Sequence, residues 1–152
     1  MSDGHDSRPT PLADVRVVEI SDRIAGSYCG KLLVDAGADV RKIEPPQGDW
    51  LRRFSASGSA VPDGTDSPLF GYLNAGKRSM TSSAVDLRSE LAGADIIVVT
   101  ATRSQAAELG IDPQQVLAEF PRAVIVTISD FGWTGPYADR AASEFKIGRA
   151  HV

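Results

Sequence analysis

Asp95-Ile96-Ile97-Val98-Val99-Thr100 is the stretch that decides the fold. A short, continuous run of β-branched residues is typical of a strand that is buried on both faces. Residues 123–128 have the same character, and residues 15–20 and 39–44 form two further runs that favour strands. Strands that are buried on both faces indicate a parallel sheet.

The segments between these strands have helical composition and support the same architecture. The clearest predicted helix covers residues 25–36 and ends at Gly37, where a glycine is a common stop signal. Shorter helices are predicted over residues 68–74, 84–92, 105–109 and 114–120, a further strand over 77–82, and a long surface loop over 45–68. Strands that alternate with helices predict an α/β fold, in which helices cover both faces of the sheet.

The loops at the carboxyl ends of the strands are the candidate ligand sites, because ligands of such sheets bind at that edge. They cover residues 21–26, 44–49, 100–105 and 129–137. A helix that opens near residue 25 would point free backbone N–H groups at a phosphate, and an ordinary βα turn is the alternative. The spacing G-x-G-x-x-G is absent here, which disfavours a dinucleotide-binding site.

Several cations are candidates for binding an anionic ligand. Lys77 and Arg78 are adjacent and lead into a predicted strand, and a solvated charge pair is the alternative interpretation. Arg103 directly follows a predicted strand and is therefore better placed at the carboxyl edge. Arg41 and Lys42 are neighbours in a strand and point to opposite faces, so only one of them can face a site.

The amino-acid composition limits the classes of function that this chain can have. The chain has 152 residues and a formal net charge of −4, which suits one domain and disfavours a nucleic-acid partner. The single cysteine, Cys29, excludes an internal disulfide framework and a thiolate-rich zinc site, and a cytoplasmic location is expected. No apolar run approaches the roughly 20 residues that span a bilayer, so no membrane partner is expected.

The histidine count excludes further chemistry. The two histidines, His5 and His151, both lie near the chain ends. The body of the chain therefore cannot build a Ser-His-Asp triad, a Cys-His pair or a His-ligated metal site. No metal site is predicted.

An ordered set of stretches resembles the class III CoA-transferase family of CaiB/BaiF type. This family includes formyl-CoA transferase, carnitine CoA-transferase and α-methylacyl-CoA racemase. The matching stretches cover residues 15–20, 25–26, 32–49, 73–79, 94–99, 109–110 and 127–137. The resemblance implies a Rossmann-like parallel sheet with flanking helices, here the N-terminal part of the large domain. It also implies two chains interlaced in a homodimer, or two fused tandem halves in one long chain.

The resemblance implies CoA or acyl-CoA as substrate, a carboxylic acid as second substrate, and no tightly bound cofactor. Carried over position by position, the residues that would contact CoA are Ile24, Ala25, Lys77, Arg78, Arg103, Ser129, Asp130 and Phe131. Of the family's usual Asn-Phe-Arg-Pro-Gly loop, only Arg103 is present here. The last three residues of the set match the loop that lies beside the thioester.

In the class III transferases an enzyme carboxylate attacks the acyl-CoA thioester and forms a mixed anhydride. The family uses an Asp, and the matching residue here is Glu144, which the resemblance makes the catalytic residue. Its extra methylene moves the carboxylate, and a misplacement of about 1 Å can cost about 10²-fold in rate. Two alternatives stay open: a non-catalytic CoA-binding half of a fused tandem transferase, and an acyl-CoA racemase-type enzyme. A racemase would use a His–Asp pair, which the body of this chain lacks.

The expected organisation has three parts. Residues 1–13 form a flexible lead-in, residues 14–145 an incomplete CoA-binding domain, and residues 146–152 a tail that departs from the family. The DNA AAG ATC GGA AGA GCA CAC GTC, which resembles a sequencing adapter, would encode this tail, so adapter read-through is expected. We expect the full-length protein to be a CoA-transferase and this portion alone to be inactive.

Overall fold

The structure, a computed structural model, describes residues 10–140. Its strands are β1 (Arg16–Ile20), β2 (Asp39–Glu44), β3 (Arg78–Thr81), β4 (Ile96–Thr100) and β5 (Val124–Ile128). Its α-helices are α1 (Ile24–Asp35), α2 (Pro68–Asn74), α3 (Leu87–Ala92), α4 (Arg103–Glu108) and α5 (Pro113–Glu119). The predicted strands and helices are all present, with ends that differ by at most three residues. A 3₁₀ helix (Trp50–Arg53) lies in the segment that was predicted to be wholly loop.

The five strands form one parallel sheet in the order β3-β2-β1-β4-β5. The chain builds outward from β1 to β3 on one side and then returns to place β4 on the other side of β1. The strand order therefore reverses between β1 and β4. This arrangement confirms the predicted Rossmann-like α/β fold, and the reversal is where such sheets open a crevice for ligands.

Both faces of the sheet are covered, as the continuous apolar strands require. Because neighbouring residues of a strand face opposite sides, Val18 and Val99 pack into one core cluster and Val17 and Val98 into the other. Leu91 of α3 and helices α4 and α5 contribute to the first cluster, while α1 covers the second. The strands β1 and β4, at whose carboxyl ends the strand order reverses, are thus held by packing on both faces of the sheet.

A capping box fixes the start of α4 directly after β4. The Thr102 hydroxyl accepts a hydrogen bond from the Gln105 N–H at 3.3 Å, and the Gln105 side chain accepts one from the Thr102 N–H at 2.9 Å. The chain therefore leaves the carboxyl end of β4 and turns at once into a helix. None of the helices in the described part of the chain is long and apolar enough to cross a membrane.

The two outer strands of the sheet differ in character. β3 has four residues and carries the exposed Arg78 at its start, whereas β5 reads Val-Ile-Val-Thr-Ile and exposes 59% of Val124. Within residues 10–140, no further strand pairs with the outer edge of β5. One edge of the sheet is therefore short and charged, and the other is longer and apolar.

The structure describes the predicted lead-in only from residue 10 onward. Residues 11–14 form a turn in which the Leu12 N–H donates to the Ala36 carbonyl at 3.1 Å and the Leu12 side chain packs against the second core cluster. The predicted catalytic Glu144 and the predicted tail at 146–152 lie outside the described residues.

Candidate functional site

Two cavities open at the carboxyl edge of the sheet, next to the reversal of strand order. The β2-side cavity, of about 280 Å³, includes Ile20, Ile43 and Leu109 in its lining. The β5-side cavity, of about 220 Å³, includes Ile128 and Phe131. Both lie where the strand order predicts a ligand crevice.

The two cavities share one wall and are divided by the first βα loop. Thr100, Ala101 and Gln105 line both of them. We call residues 21–25 the dividing loop. Its residues 21 and 22 line the β2-side cavity, while residues 23 and 25 line the β5-side cavity. One elongated ligand that crosses residues 21–25 would therefore touch both.

The dividing loop lies close against β4. The Thr100 hydroxyl donates a buried hydrogen bond to Ser21 Oγ at 2.7 Å. A Cβ atom added to Gly26 would lie 2.3 Å from Ser21 Oγ and 2.5 Å from Thr100 Cγ2. Since no side chain fits in that space, a glycine is what allows α1 to begin so near the strands.

The β5-side cavity is bordered by the loop that follows β5, and this loop is attached to the start of α4. The Asp139 carboxylate accepts hydrogen bonds from the Ser104 N–H at 3.0 Å and from the Ser104 hydroxyl at 2.9 Å. These bonds lower the pKa of Asp139. The Arg140 guanidinium lies 5.9 Å from the ring centre of Phe131 and 5.6 Å from that of Tyr137. The cavity thus combines an aromatic side with a cation.

The β2-side cavity is chiefly apolar and bears carboxylates. Glu44 forms a two-pronged ion pair with Arg52, whose Nη2 and Nε lie 2.7 and 2.8 Å from the two carboxylate oxygens. Burial alone would raise the pKa of Glu44, but hydrogen bonds from Arg52, the Ser79 hydroxyl and the Asp49 N–H lower it to about 2. The described residues that line this cavity include no Lys or Arg. The cavity therefore suits groups that donate hydrogen bonds better than it suits phosphates.

Four charged side chains are buried together next to the dividing loop. They belong to Glu19, Lys42, Asp49 and Lys77, and we call them the buried charge cluster. Lys42 Nζ lies 2.9 Å from Glu19 Oε1 and 2.9 Å from Asp49 Oδ2, and Lys77 Nζ lies 2.7 Å from Glu19 Oε2. The side chains are at most 1% exposed. Two cations and two anions balance each other, as burial of charge requires.

The two lysines of the buried charge cluster respond differently to burial. Burial lowers the pKa of Lys42, but the facing carboxylates of Glu19 and Asp49 outweigh it and raise that pKa. For Lys77 burial is the larger effect, so its pKa is lowered despite the contact with Glu19. Lys42 therefore holds its proton more tightly than Lys77 does.

The structure brings half of the sequence-predicted CoA contacts together. Ala25, Ser129, Asp130 and Phe131 all line the β5-side cavity. Arg103 is exposed at the first position of α4 and lies outside both linings. Contact of these residues with CoA stays a prediction.

The other three residues that were predicted to contact CoA have side chains outside both cavity linings. The Ile24 side chain packs against the apolar cluster of α2 and the 3₁₀ helix and lines neither of the two cavities. Lys77 belongs to the buried charge cluster, and Arg78 pairs with Asp39 at the amino end of β3. Neither cation lines the β2-side or the β5-side cavity, and their contact with CoA likewise stays a prediction.

Two features of the site were missed by the sequence analysis. Arg23 and Arg140 line the β5-side cavity, and Lys42 lies at the centre of the buried charge cluster. A signal for the cluster was present, because Glu19 and Lys42 are charged residues inside strands that otherwise read as buried. In the described part of the chain, His, Cys, Asp and Glu side chains form no group of three that could hold a metal ion.

Comparison with known proteins gives the family. The sequence model for CoA-transferase family III matches residues 12–147. The succinate–glutarate CoA-transferase of Agrobacterium fabrum is 32% identical over 150 residues, which cover 93% of this chain and 38% of that protein. The succinyl-CoA–D-citramalate CoA-transferase of Chloroflexus aurantiacus is 34% identical, over 88% of this chain and 34% of that protein.

Solved structures agree with the sequence comparison. A CAIB/BAIF family protein from Brucella suis superposes with a TM-score of 0.78 at 35% identity and covers 92% of this chain and 39% of that one. The protein Rv3272 from Mycobacterium tuberculosis gives a TM-score of 0.71 at 27% identity, over 87% of this chain and 37% of that one. The chain spans between a third and two fifths of the length of these relatives. It belongs to CoA-transferase family III.

Proposed function

We propose that this chain forms the CoA-binding part of an enzyme that transfers CoA between an acyl-CoA thioester and a carboxylic acid. The observation that carries the proposal is the pair of cavities at the reversal of strand order, divided by residues 21–25 and joined by a common wall. The family match supports CoA transfer as the reaction.

The two cavities differ in a way that suits the two ends of CoA. The apolar walls and carboxylates of the β2-side cavity fit an adenine ring, whose amino group donates hydrogen bonds. The β5-side cavity bears Arg23 and Arg140, and it contains the Ser129–Phe131 positions that match the loop beside the thioester. We therefore place the adenine in the β2-side cavity and the thioester end in the β5-side cavity.

Glu144 is the proposed nucleophile, by its position relative to the family motif. Its carboxylate oxygen attacks the thioester carbonyl carbon, the C–S bond breaks, and CoA leaves as the thiolate. The acyl group is then held as a mixed anhydride. The thiolate then attacks the Glu144 carbonyl carbon of the anhydride, which forms a glutamyl-CoA thioester and releases the donor acid as its carboxylate. The acceptor carboxylate attacks this thioester, expels the CoA thiolate again and forms a second mixed anhydride. Attack of the thiolate on the acceptor's carbonyl carbon gives the new acyl-CoA and returns the Glu144 carboxylate.

The assembly is proposed to contain two such units, either as an interlaced homodimer or as fused tandem halves. One relative, the succinyl-CoA–L-malate CoA-transferase of Chloroflexus aurantiacus, is named for its alpha subunit, which supports an assembly of more than one chain. In a tandem enzyme the working carboxylate could come from the other half.

The proposal is tested on the full-length protein that contains this chain. Succinyl-CoA is the first donor to use, since it appears in the names of several relatives. New acyl-CoA products are separated by chromatography after incubation with a panel of carboxylic acids. Formation of a new thioester supports the proposal, whereas release of free CoA alone, or no reaction, overturns it.

A pair of variants tests the site itself. Ala101→Phe fills the wall that both cavities share and should raise KM for acyl-CoA by about tenfold or more, which is a loss of about 1.4 kcal/mol in binding. Ala107→Phe makes the same change on the exposed side of α4 and should leave KM unchanged. Equal KM values for the two variants would place CoA elsewhere.

A second pair of variants tests the nucleophile. Glu144→Gln removes the attacking carboxylate and should abolish turnover, and Glu144→Asp restores the residue type that the family uses. We expect Glu144→Asp to retain activity and Glu144→Gln to lose at least about 10²-fold in kcat. Unchanged turnover of Glu144→Gln would exclude Glu144 from catalysis and favour a carboxylate from another half.

A further inference from the structure

We propose that Lys42 is a positioning residue, which holds residues 21–25 in the shape that divides the two cavities. The inference rests on the proposed function, in which this loop lies against CoA. Lys42 itself lines neither cavity and acts only through the loop.

Lys42 anchors the dividing loop at both ends. Its Nζ donates a hydrogen bond to the Ser21 carbonyl, at the residue that follows β1, and another to Ser27 Oγ, at 3.3 Å, near the start of α1. Ser21 is the first residue of the loop, Ser27 lies in the first turn of α1, and both are buried. A single ammonium group thus fixes where the loop leaves the strand and where it enters the helix.

The rest of the buried charge cluster holds Lys42 in place. Glu19 bridges the two lysines, with 2.9 Å from Oε1 to Lys42 Nζ and 2.7 Å from Oε2 to Lys77 Nζ. Lys77 Nζ also donates to the Ser27 carbonyl at 2.7 Å, which gives the start of α1 a second anchor. A Cβ at Gly30 would lie 1.9 Å from Glu19 Oε2, so α1 carries a glycine where the cluster needs room.

Stability alone does not account for four buried charges. Replacing a buried ion pair by apolar side chains of similar volume is often neutral or stabilising. An apolar replacement of Lys42 would, however, leave the Ser21 carbonyl without this donor. The cluster therefore supplies directed hydrogen bonds to the loop, which apolar packing cannot supply.

The test compares Lys42→Met with a control of reduced stability in the full-length protein. Lys42→Met should raise KM for acyl-CoA by about tenfold, equal to about 1.4 kcal/mol, and should leave KM for the acceptor acid within about twofold. Leu91→Ala creates a cavity in the first core cluster, at a side chain that lines neither of the two cavities. It should lower Tm without changing either KM, so a general loss of stability is separated from a loss of positioning.

Ser27→Ala keeps the proposal testable if Lys42→Met does not fold. It removes one of the two loop anchors and preserves the volume of a fully buried side chain. We expect a smaller rise of KM for acyl-CoA, of about threefold. Unchanged KM in folded Lys42→Met, or in Ser27→Ala where Lys42→Met fails to fold, overturns the inference.

Hydrogen exchange separates this inference from the proposed function. In Lys42→Met, the amides of the peptide that covers residues 21–27 should exchange faster than in wild type. In Leu91→Ala, the amides of the same peptide should exchange at the wild-type rate. If the wild-type protein transfers no CoA, the proposed function fails and the exchange result alone decides whether Lys42 holds the loop. Unchanged exchange in Lys42→Met would overturn the inference whatever the activity.

Discussion

Thr100 Oγ1 and Ser21 Oγ lie 2.7 Å apart and form a buried hydrogen bond across the reversal of strand order. Thr100 ends β4 and Ser21 follows β1, so this bond ties the dividing loop to the neighbouring strand at the point where both cavities meet. Ser21 Oγ also accepts from the Arg23 N–H at 3.2 Å. The Thr100 and Ser21 hydroxyl groups therefore hold the first βα loop against β4, and the Lys42 ammonium holds it through the Ser21 carbonyl.

Thr100→Val removes the hydroxyl and keeps the shape of the side chain. We expect a loss of about 1 kcal/mol in the free energy of unfolding, because Ser21 Oγ loses a buried donor. Urea denaturation of the full-length protein measures this loss. Thr100→Ser retains the hydroxyl and should keep the bond, so an equal loss in Val and Ser variants would assign the effect to packing.

Replacement of two helical glycines by alanine should change the free energy of unfolding in opposite directions. Gly26→Ala puts a Cβ within 2.5 Å of Thr100 Cγ2 and should cost about 1–3 kcal/mol, as overpacked cores do. Gly71 in α2 has open space around its Cβ position, so Gly71→Ala should stabilise by about 0.4–1 kcal/mol. Thermal unfolding of the two variants checks the contrast, and a stabilised Gly26→Ala would contradict the close approach.

Acid should weaken the protein through Glu44. Its folded-state pKa of about 2 lies below the ordinary value of 4.5, so its contribution to stability is complete above pH 4.5 and is lost as the pH falls toward about 2. Glu44→Gln removes this contribution. The unfolding free energy of the variant should therefore fall less steeply between those pH values, and equal slopes for variant and wild type would reject Glu44 as the cause.

The Asp139–Ser104 contact should hold the loop after β5 against α4. Asp139→Ala removes both hydrogen bonds that the carboxylate accepts, so the amides of residues 129–140 should exchange faster while those of β4 keep their protection. Asp63→Ala, in an exposed loop outside the cavity lining, is the control. Equal exchange in residues 129–140 for the two variants would show that the contact does not restrain the loop.

The sheet and the edge at which its two cavities open could be predicted because their signals are local. β4 is a continuous apolar run, α2 begins with Ser67 and Pro68 as helix starts commonly do, and the loops after the strands contain Ser129 and Phe131. The 3₁₀ helix was missed because its start depends on Asp49 accepting from the Leu51 N–H, within a stretch whose glycines and prolines indicate loop.

The roles of the cations could not be predicted from spacing. Adjacent residues in a strand point to opposite faces, but the sequence does not say which of Arg41 and Lys42 meets a carboxylate in the interior. The resemblance assigns Lys77 to CoA, and the structure shows its ammonium beside Glu19, 58 residues earlier in the chain. The pairing of β1 with β2, which sets Glu19 opposite Lys42, and of β2 with β3, which Lys77 precedes, brings these groups together.

The unequal edges of the sheet have a consequence for handling the protein. β3 resists strand addition because it is short and starts with an exposed arginine, whereas β5 offers apolar residues and a row of backbone groups that no described strand takes up. Wherever that edge is left bare in solution, molecules should associate through it in a concentration-dependent way. A charge at the exposed Val124 position would then act as a gatekeeper against aggregation.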